Sequence, residues 1–149
     1  MHGAHPRFSL VDAHAEGLTQ VFSYDGIEDV HLRLAGVYQP CNAAMAVEAA
    51  RILRGKGFDT PDSAIKNGLE ATTWPARFEV VAHRPTTIVD GGHNEQGARV
   101  LAKSLQEYFP EGGVTFVMSV LRDKDYRAMI ECVLPFARRV FVAAPPDND

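Results

Sequence analysis

One stretch of the chain combines a strand, a sharp turn and a helix, and it limits the fold more than any other. Residues 86–89 are Thr, Thr, Ile and Val, whose branched side chains favour a strand. Asp90 ends this run, and the glycines at 91–92 allow a sharp turn and a close approach of the backbone to a ligand. Asn94 can cap the helix that follows. The pattern predicts an α/β domain with Asp90 at the edge of the sheet where ligands bind.

This glycine pair does not identify a nucleotide site by itself. The chain contains neither G-x-G-x-x-G nor G-x-x-x-x-G-K-[ST], the glycine-rich motifs that surround phosphate groups. The simpler interpretation is an ordinary turn between a strand and a helix. Matches elsewhere in the chain are therefore needed before Asp90 is assigned to a site.

The composition fits a globular protein and excludes some classes of partner. The chain has 149 residues, of which 46% are hydrophobic and 23% charged, enough for one domain or two small ones. The net charge of −4 gives no basic footprint for nucleic acid. The apolar runs are too short to cross a bilayer, and the amino terminus lacks a secretory signal. We expect neither nucleic acid nor a membrane as partner.

Cysteine and histidine patterns predict no metal site in this chain. Cys41 and Cys132 lie far apart without C-x-x-C spacing, so both are predicted to be free thiols in a reducing compartment. The six histidines form no H-x-x-x-H or Cys/His ligand pattern.

The first half predicts a small antiparallel sheet followed by two helices. Residues 8–13, 18–24 and 30–34 are predicted strands, and Asp25-Gly26 is a strong hairpin signal. Residues 36–40 lead into an alanine-rich helix, and Pro40 suits its run-in or first turn. Its predicted buried stripe is Met45, Ala49, Ile52 and Leu53.

The second helix is predicted to begin with Thr60 as its cap and Pro61 in its first turn. Its inward face is predicted to be Ile65, Leu69 and Trp74.

The second half predicts a mostly parallel, Rossmann-like sheet with flanking helices. Residues 78–82 and 86–90 read as paired strands, and later strands are predicted at 114–120 and 139–144. The alternation of strands and helices from residue 86 implies parallel pairing with right-handed crossovers. Between the later strands lies a predicted helix over residues 126–136, with Met129, Ile130, Val133 and Leu134 inward.

Three loops are then expected to meet at one edge of this sheet. They comprise residues 91–94, 121–125 and 145–149. Their convergence, more than any single motif, indicates a site.

Four blocks in order resemble the carboxyl-terminal part of folylpolyglutamate synthase / dihydrofolate synthase, a branch of the Mur ligase superfamily. Residues 38–46 resemble Y-Q-x-x-N-A-x-x-A, and residues 73–79 resemble a block built on W-P-G-R-F/L-E. Residues 90–94 resemble D-G-A-H-N, and residues 123–125 match D-K-D. Each block is weak alone, but four in register are fairly specific.

The resemblance implies an ATP- and magnesium-dependent enzyme that joins glutamate to the γ-carboxylate of folate through an acyl phosphate. It implies that Asn42, Arg77 and Asp90 contact ATP at a cleft between the central and carboxyl-terminal domains. The Arg77 guanidinium suits phosphate oxygens, and Asp90 suits a ribose hydroxyl. His93 and Lys124 are the candidate catalytic residues: His93 beside the nucleotide, Lys124 attracting the carboxylates of glutamate.

Each assignment has a simpler alternative. Asn42 would only cap its helix, and Arg77 would form a surface ion pair with Glu79 or Glu70. His93 would be a turn residue without a ligand, and Lys124 a solvated loop charge.

Four positions depart from the family pattern. Ala76 and Ser119 stand where glycine is usual, and Gly92 where alanine is usual. Glu95 replaces a proline and puts a negative charge where phosphate groups would approach.

The resemblance also implies a division of the chain. Residues 1–73 match the end of the family's central ATPase domain, and residues 74–149 match most of its carboxyl-terminal domain. The phosphate loop and magnesium ligands belong to the family's amino-terminal part, so the chain is expected to be a piece of a longer enzyme, inactive alone. The expected partners are folate or dihydropteroate, glutamate and ATP, in a cytoplasmic monomer.

Three other functions fit parts of the sequence. Another Mur-type ligase would add amino acids to a cell-wall precursor, although the blocks around Asn42 and Arg77 fit the folate branch better. A non-catalytic nucleotide-binding α/β module would need Asp90 and Gly91 but no ATPase domain. An interaction module would need no ligand.

Overall fold

The chain forms two compact units, Met1–Pro75 and Ala76–Asp149. The computed structural model describes residues 11–121 and 124–143. Both units mix strands and helices, which confirms the predicted α/β class. The assignment of residues 1–73 and 74–149 to two Mur ligase domains stays a prediction.

The first unit begins with a three-stranded antiparallel sheet in the order β1-β2-β3. The strands are β1 (Val11–Glu16), β2 (Thr19–Tyr24) and β3 (Ile27–Leu32). Asp25 and Gly26 connect β2 to β3 with φ values of 46° and 85°. Positive φ at both central residues matches the twist of a hairpin, so the predicted Asp-Gly turn is confirmed.

Two helices follow the sheet, α1 (Gln39–Gly55) and α2 (Asp62–Ala71). Residues of the sheet and of both helices form one buried core, which consists of Phe22, Tyr24, Ile27, Val30, Leu32, Ala43, Ala44, Val47 and Ile65. Leu69 packs against this core as predicted, being partly buried.

The predicted buried face of α1 is wrong. Met45, Ile52 and Leu53 are exposed, whereas Ala43 and Ala44 are buried. Small alanine side chains let the helix backbone lie close to the sheet. The prediction gave the larger apolar side chains more weight and therefore chose the wrong face of the helix. Ala49 is also exposed.

Two further predictions for this unit are wrong. Trp74 lies beyond the end of α2 and is exposed, because the chain leaves the helix at Thr72 in an extended conformation. Pro61, with extended backbone, caps α2 without a side-chain hydrogen bond. The Thr60 hydroxyl instead donates to the carbonyl of Ala50 at 3.0 Å.

A buried glutamine fixes the path of the chain between β3 and α1. The Nε2 atom of Gln20 donates to the carbonyls of Leu34 and Gly36, each at 2.9 Å. These carbonyls lie beyond the last ladder residue of β3, Leu32. The amide therefore satisfies two acceptors that the sheet no longer reaches.

The second unit contains an antiparallel hairpin, a parallel pair of strands and two helices. The hairpin pairs β4 (Glu79–His83) with β5 (Thr86–Val89), as predicted. The parallel pair is β6 (Val114–Met118) and β7 (Ala137–Val142). The elements between the strands are α3 (Glu95–Tyr108), α4 (Tyr126–Val133) and a 3₁₀ turn (Leu134–Phe136).

The parallel pairing is confirmed for β6 and β7 only. Within the described residues, β5 is hydrogen-bonded to β4 and not to β6. A strand of four residues finds a partner most easily across a short hairpin, because a crossover through a helix closes a longer loop.

The predicted inward face of α4 is right for Met129 and Val133 and wrong for Leu134. Leu134 is 51% exposed and Phe136 only 8%. The helix changes to a 3₁₀ turn at Leu134-Pro135, since proline lacks an N–H for the α-helical ladder, and this turns Phe136 inward.

Parts of two predicted loops lie outside the described residues: 122–123, which includes Asp123 of the D-K-D block, and 145–149. The predicted leader and the first residues of the first predicted strand lie outside as well. None of the helices in the described ranges is long and apolar enough to cross a membrane.

Candidate functional site

The turn that carries Arg77 has a strained backbone. The residues on either side of it, Ala76 and Phe78, have φ values of 54° and 50°. This left-handed region costs residues with a Cβ roughly 1–2 kcal/mol each. Such conformations persist where surrounding contacts determine them, and they concentrate at functional sites.

Three hydrogen bonds hold this turn. The Phe78 N–H donates to Asp90 Oδ2 at 2.9 Å, and the Gly91 N–H donates to the Ala76 carbonyl at 2.8 Å. The Ala76 N–H donates to Glu79 Oε2 at 2.8 Å. Both N–H groups that flank Arg77 are therefore bound by carboxylates, which are the stronger class of acceptor.

Asp90 also shapes its own loop. Its Oδ1 accepts from the Gly92 N–H at 2.8 Å, two residues further along the chain. This is an Asx turn, in which the side chain replaces a backbone acceptor. Both carboxylate oxygens of Asp90 thus accept from backbone amides, one in each of the two segments.

The glycines at 91 and 92 are required for space rather than for backbone conformation, since neither has a positive φ. A Cβ on Gly91 would lie 3.2 Å from the Ala76 oxygen and 3.3 Å from Arg77 Nη1. A Cβ on Gly92 would lie 2.8 Å from Asp90 Oδ1. The missing side chain at Gly91 lets the backbone and the guanidinium come close together.

The guanidinium of Arg77 lies at the surface. Its side chain is exposed, and within residues 11–121 and 124–143 it forms no salt bridge. The alternative pairing with Glu79 is therefore not found; that carboxylate accepts from the Ala76 N–H instead. An exposed fixed cation can bind an anionic ligand.

Phe78 anchors the turn to α3. Its side chain is fully buried, and its ring lies 5.6 Å from the ring of Tyr108 at an interplanar angle of 30°. Burial, followed by the nearby charge of Glu107, raises the pKa of Tyr108 to about 12. Phe78, the residue after Arg77, is therefore fixed both by its ring contact with Tyr108 and by the hydrogen bond from its N–H to Asp90.

The loop after Asp90 leads directly into the start of α3. Asn94 Oδ1 accepts from the Gly97 N–H at 2.7 Å, which confirms the predicted cap. His93 is exposed, and its Nδ1 lies 3.1 Å from the Gly91 carbonyl oxygen. Because a carbonyl can only accept, this contact needs the proton on Nδ1, which leaves Nε2 of the neutral ring as an acceptor.

The charge of Glu95 at this helix start is paired. Its carboxylate binds Arg99 one turn along α3, with Arg99 Nε at 2.9 Å, and this pairing raises the pKa of Arg99. The departure from the family's proline therefore adds an ion pair rather than an isolated negative charge.

Asn42 and Lys124 lie on other elements. Asn42 is exposed in the first turns of α1, where its Nδ2 donates to Gln39 Oε1 at 2.9 Å. It therefore bonds a side chain and does not cap the helix. Lys124 lies between β6 and α4, and its N–H donates to the Leu121 carbonyl at 3.1 Å.

The structure brings together Arg77, Asp90 and His93 through one turn and one loop. Sequence reasoning missed the carboxylate of Glu79 as a holder of the turn and Phe78 as its anchor. The spacing of Asp90 before two glycines could have indicated the Asx turn. Both cysteines are free, and the described part of the chain has no group of three His, Cys, Asp or Glu side chains able to hold a metal.

Residues 76–149, which carry the Arg77 turn and the Asp90 loop, match the family model described as Mur ligase, glutamate ligase domain. Residues 76–149 belong to the Mur ligase glutamate ligase domain family. The sequence resemblance to its folate branch is confirmed by relatives and solved structures.

Two curated relatives share 34% identity with the chain. One is the dihydrofolate synthase/folylpolyglutamate synthase of Bacillus subtilis, over 78% of this chain and 27% of the relative. The other is the folylpolyglutamate synthase of Lacticaseibacillus casei, over 93% of this chain and 33% of the relative. The chain thus spans about a third or less of the length of these two relatives.

A solved structure of the same branch, an FPGS-AMPPCP-folate complex, superposes with a TM-score of 0.82. It shares 32% identity, and the match covers 91% of this chain and 34% of that one. AMPPCP is an analogue of ATP, so this member of the family binds a nucleotide.

Proposed function

We propose that this chain is part of an ATP-dependent ligase that joins glutamate to folate through an acyl-phosphate intermediate. The observation that carries the proposal is the exposed guanidinium of Arg77, which the backbone of Gly91 approaches and two carboxylate-bound amides flank. Within the second unit, this cation belongs to the segments that match the glutamate ligase domain.

Arg77 binds phosphate oxygens of ATP in this proposal. A guanidinium presents a planar fork of donors and keeps its charge, which suits the charge that develops during phosphoryl transfer. Three hydrogen bonds to backbone amides hold its turn, so little conformational entropy is lost on binding. Asn42 and Asp90 are likewise assigned to nucleotide binding, on the basis of the family resemblance.

His93 and Lys124 are assigned to the reacting groups. With its proton on Nδ1, the neutral His93 ring offers Nε2 as an acceptor, which suits the incoming ammonium or amine of glutamate. Lys124 supplies positive charge for the carboxylates of glutamate.

Magnesium is part of the proposal only because the family resemblance implies it. The described residues do not offer three metal-binding side chains in one place, so no step is assigned to a metal held by them. A monomer in the cytoplasm stays a prediction.

A second acceptor substrate, dihydropteroate, is supported by one specific observation. The Bacillus subtilis relative is named a dihydrofolate synthase as well as a folylpolyglutamate synthase. Both reactions join glutamate to a carboxylate, so the same nucleotide site would serve both.

A chimera tests the proposal. This chain replaces the homologous third of the Lacticaseibacillus casei folylpolyglutamate synthase, and incorporation of labelled glutamate into folate is measured. We expect activity, and we expect Arg77→Ala to lower kcat/KM for ATP by roughly 100-fold, since lost charge-assisted contacts to phosphate are worth about 1.5–3 kcal/mol each.

Arg33→Ala is the matched control, because Arg33 is also exposed and lies outside the segments that form the turn. It should leave kcat/KM for ATP within about two-fold. An inactive chimera that folds and binds folate, or equal losses in the two variants, would contradict the proposal. Substituting dihydropteroate for folate in the same assay decides the second substrate.

A further inference from the structure

We infer that Gln39 is a positioning residue for Asn42, because its buried amide holds the exposed amide of Asn42 in one orientation. The basis is the proposed function, in which Asn42 binds the nucleotide. Gln39 is then a further residue of that site, and it acts through Asn42.

The backbone of Gln39 is fixed from the sheet of the first unit. Gln39 is the first residue of α1, and its N–H donates to the Gly36 carbonyl at 2.9 Å. The same carbonyl accepts from Nε2 of the buried Gln20 on β2, also at 2.9 Å. A Cβ on Gly36 would lie 2.5 Å from Cε1 of Tyr38, so the tyrosine ring lies against the bare Cα of the glycine. Gln39 therefore starts from a defined backbone position.

The side chain of Gln39 is enclosed as well. Only 6% of the residue is exposed, and its Oε1 accepts from Asn42 Nδ2 at 2.9 Å. The two residues are three apart on the helix, a spacing that places side chains on the same face. A buried amide is costly unless it is hydrogen-bonded, and an apolar side chain of the same size would avoid that cost. The bond to Asn42 therefore explains a glutamine at this position better than packing alone does.

The bond determines which atoms of Asn42 remain for a ligand. An asparagine amide has two protons on Nδ2 and two lone pairs on Oδ1. Gln39 takes one of the protons, and because Asn42 is exposed, Oδ1 and the other proton can meet a ligand. An amide that is already held on one side loses less side-chain entropy when the nucleotide binds.

The test is a double-mutant cycle in the chimera, with kcat and KM for ATP measured for Gln39→Met, Asn42→Ala and the double variant. Methionine fills a similar volume without an amide. We expect Gln39→Met to raise KM for ATP about five-fold with kcat unchanged, because a contact that is equal in the bound state and the transition state affects binding alone. In the Asn42→Ala background, the same change should alter KM by less than about two-fold.

Two further variants separate the hydrogen bond from packing. Gln39→Glu keeps an oxygen that accepts from Asn42 Nδ2 and loses the donor, so KM for ATP should stay within about two-fold of the parent value. Gln106→Met is the matched control, since Gln106 is exposed on α3 of the second unit, and it should leave KM unchanged. Urea unfolding followed by circular dichroism shows whether each variant is folded.

Nuclear magnetic resonance of the 149-residue chain gives a readout that needs no nucleotide. One Nδ2 proton of Asn42 should exchange with water about ten-fold more slowly than those of Asn67, an exposed asparagine on α2. Gln39→Met should abolish this difference, and Gln39→Glu should keep it.

Equal increases in KM with and without the Asn42 side chain would show that Gln39 acts on the nucleotide itself or on the fold, and would overturn the inference. A folded Gln39→Glu variant as impaired as Gln39→Met would overturn it too, as would Asn42 protons that exchange alike in the parent chain and in Gln39→Met. An inactive parent chimera would count against the proposed function, while the exchange data would still decide whether Gln39 holds Asn42.

Discussion

In the first unit, apolar side chains from the sheet and both helices determine the backbone, whereas in the Arg77 turn of the second unit carboxylates do. Phe22, Val30 and Val47 are completely buried in one continuous core. The turn around Arg77 has one buried aromatic, Phe78, and is otherwise held by Asp90 and Glu79.

The difference teaches where a protein can place a functional cation. A hydrophobic core fixes backbone only where it can exclude water, and an arginine that must meet a ligand cannot lie there. Carboxylates that bind backbone amides can hold an exposed turn, and among the described residues the arginine of this turn forms no salt bridge.

The largest effect is expected from the core of the first unit. Phe22→Ala should lower the free energy of unfolding by about 3–5 kcal/mol, because the cavity left in a packed core adds to the lost burial. Urea unfolding followed by circular dichroism measures it. Phe58→Ala is the control, since Phe58 is 60% exposed and its loss should change stability by no more than about 0.5 kcal/mol. Similar values for the two variants would refute the core described above.

Two glycine-to-alanine substitutions, one in each unit, should change the free energy of unfolding in opposite directions. Gly91→Ala places a Cβ 3.2 Å from the Ala76 oxygen and should destabilise by about 1–3 kcal/mol. Gly68→Ala, inside α2 with nothing within 4 Å of the new Cβ, should stabilise by about 0.8–1 kcal/mol, because alanine favours a helix. Thermal unfolding of both variants tests this. Stabilisation by Gly91→Ala would mean that the turn and the loop are not in close contact.

The smallest effect concerns two residues with a left-handed backbone conformation, one in each unit. Ala76→Gly should stabilise by up to about 1 kcal/mol, since relief of strain exceeds the entropy cost of glycine. Asp25→Gly relieves a similar strain but removes the carboxylate that pairs with Arg51, so its net effect should be near zero. Chemical denaturation of both variants provides the comparison. A clear loss of stability in Ala76→Gly would show that the turn depends on the stiffness of alanine.

Local signals in the sequence predicted much of the fold. Asp25-Gly26 indicated its hairpin because few residues accept positive φ, and Asn94 indicated its helix start because its side chain matches an unpaired amide. The face of α1 could not be predicted in the same way. Ala43 and Ala44 are buried through the shape of the sheet beneath them, and periodicity gave the larger Met45 and Ile52 more weight.

The candidate site shows the same limit. The family blocks indicated Arg77 and Asp90, and the structure brings their segments together, but their roles in binding stay predictions. The bonds from Asp90 to Phe78 and from Glu79 to Ala76 use backbone amides, which every residue except proline carries. Such partners leave no trace in side-chain identity, so only the three-dimensional path of the chain reveals them.

The side chain of Gln20 extends the hydrogen bonding of the sheet to carbonyls two and four residues beyond Leu32, where the third strand ends. Glutamate would occupy nearly the same volume, yet it would face the carbonyls of Leu34 and Gly36 with acceptors instead of donors. The exchange of one nitrogen for one oxygen would thus convert two attractions into two repulsions. Where the first long helix starts, and with it the location of Asn42, is tied to the identity of a single atom.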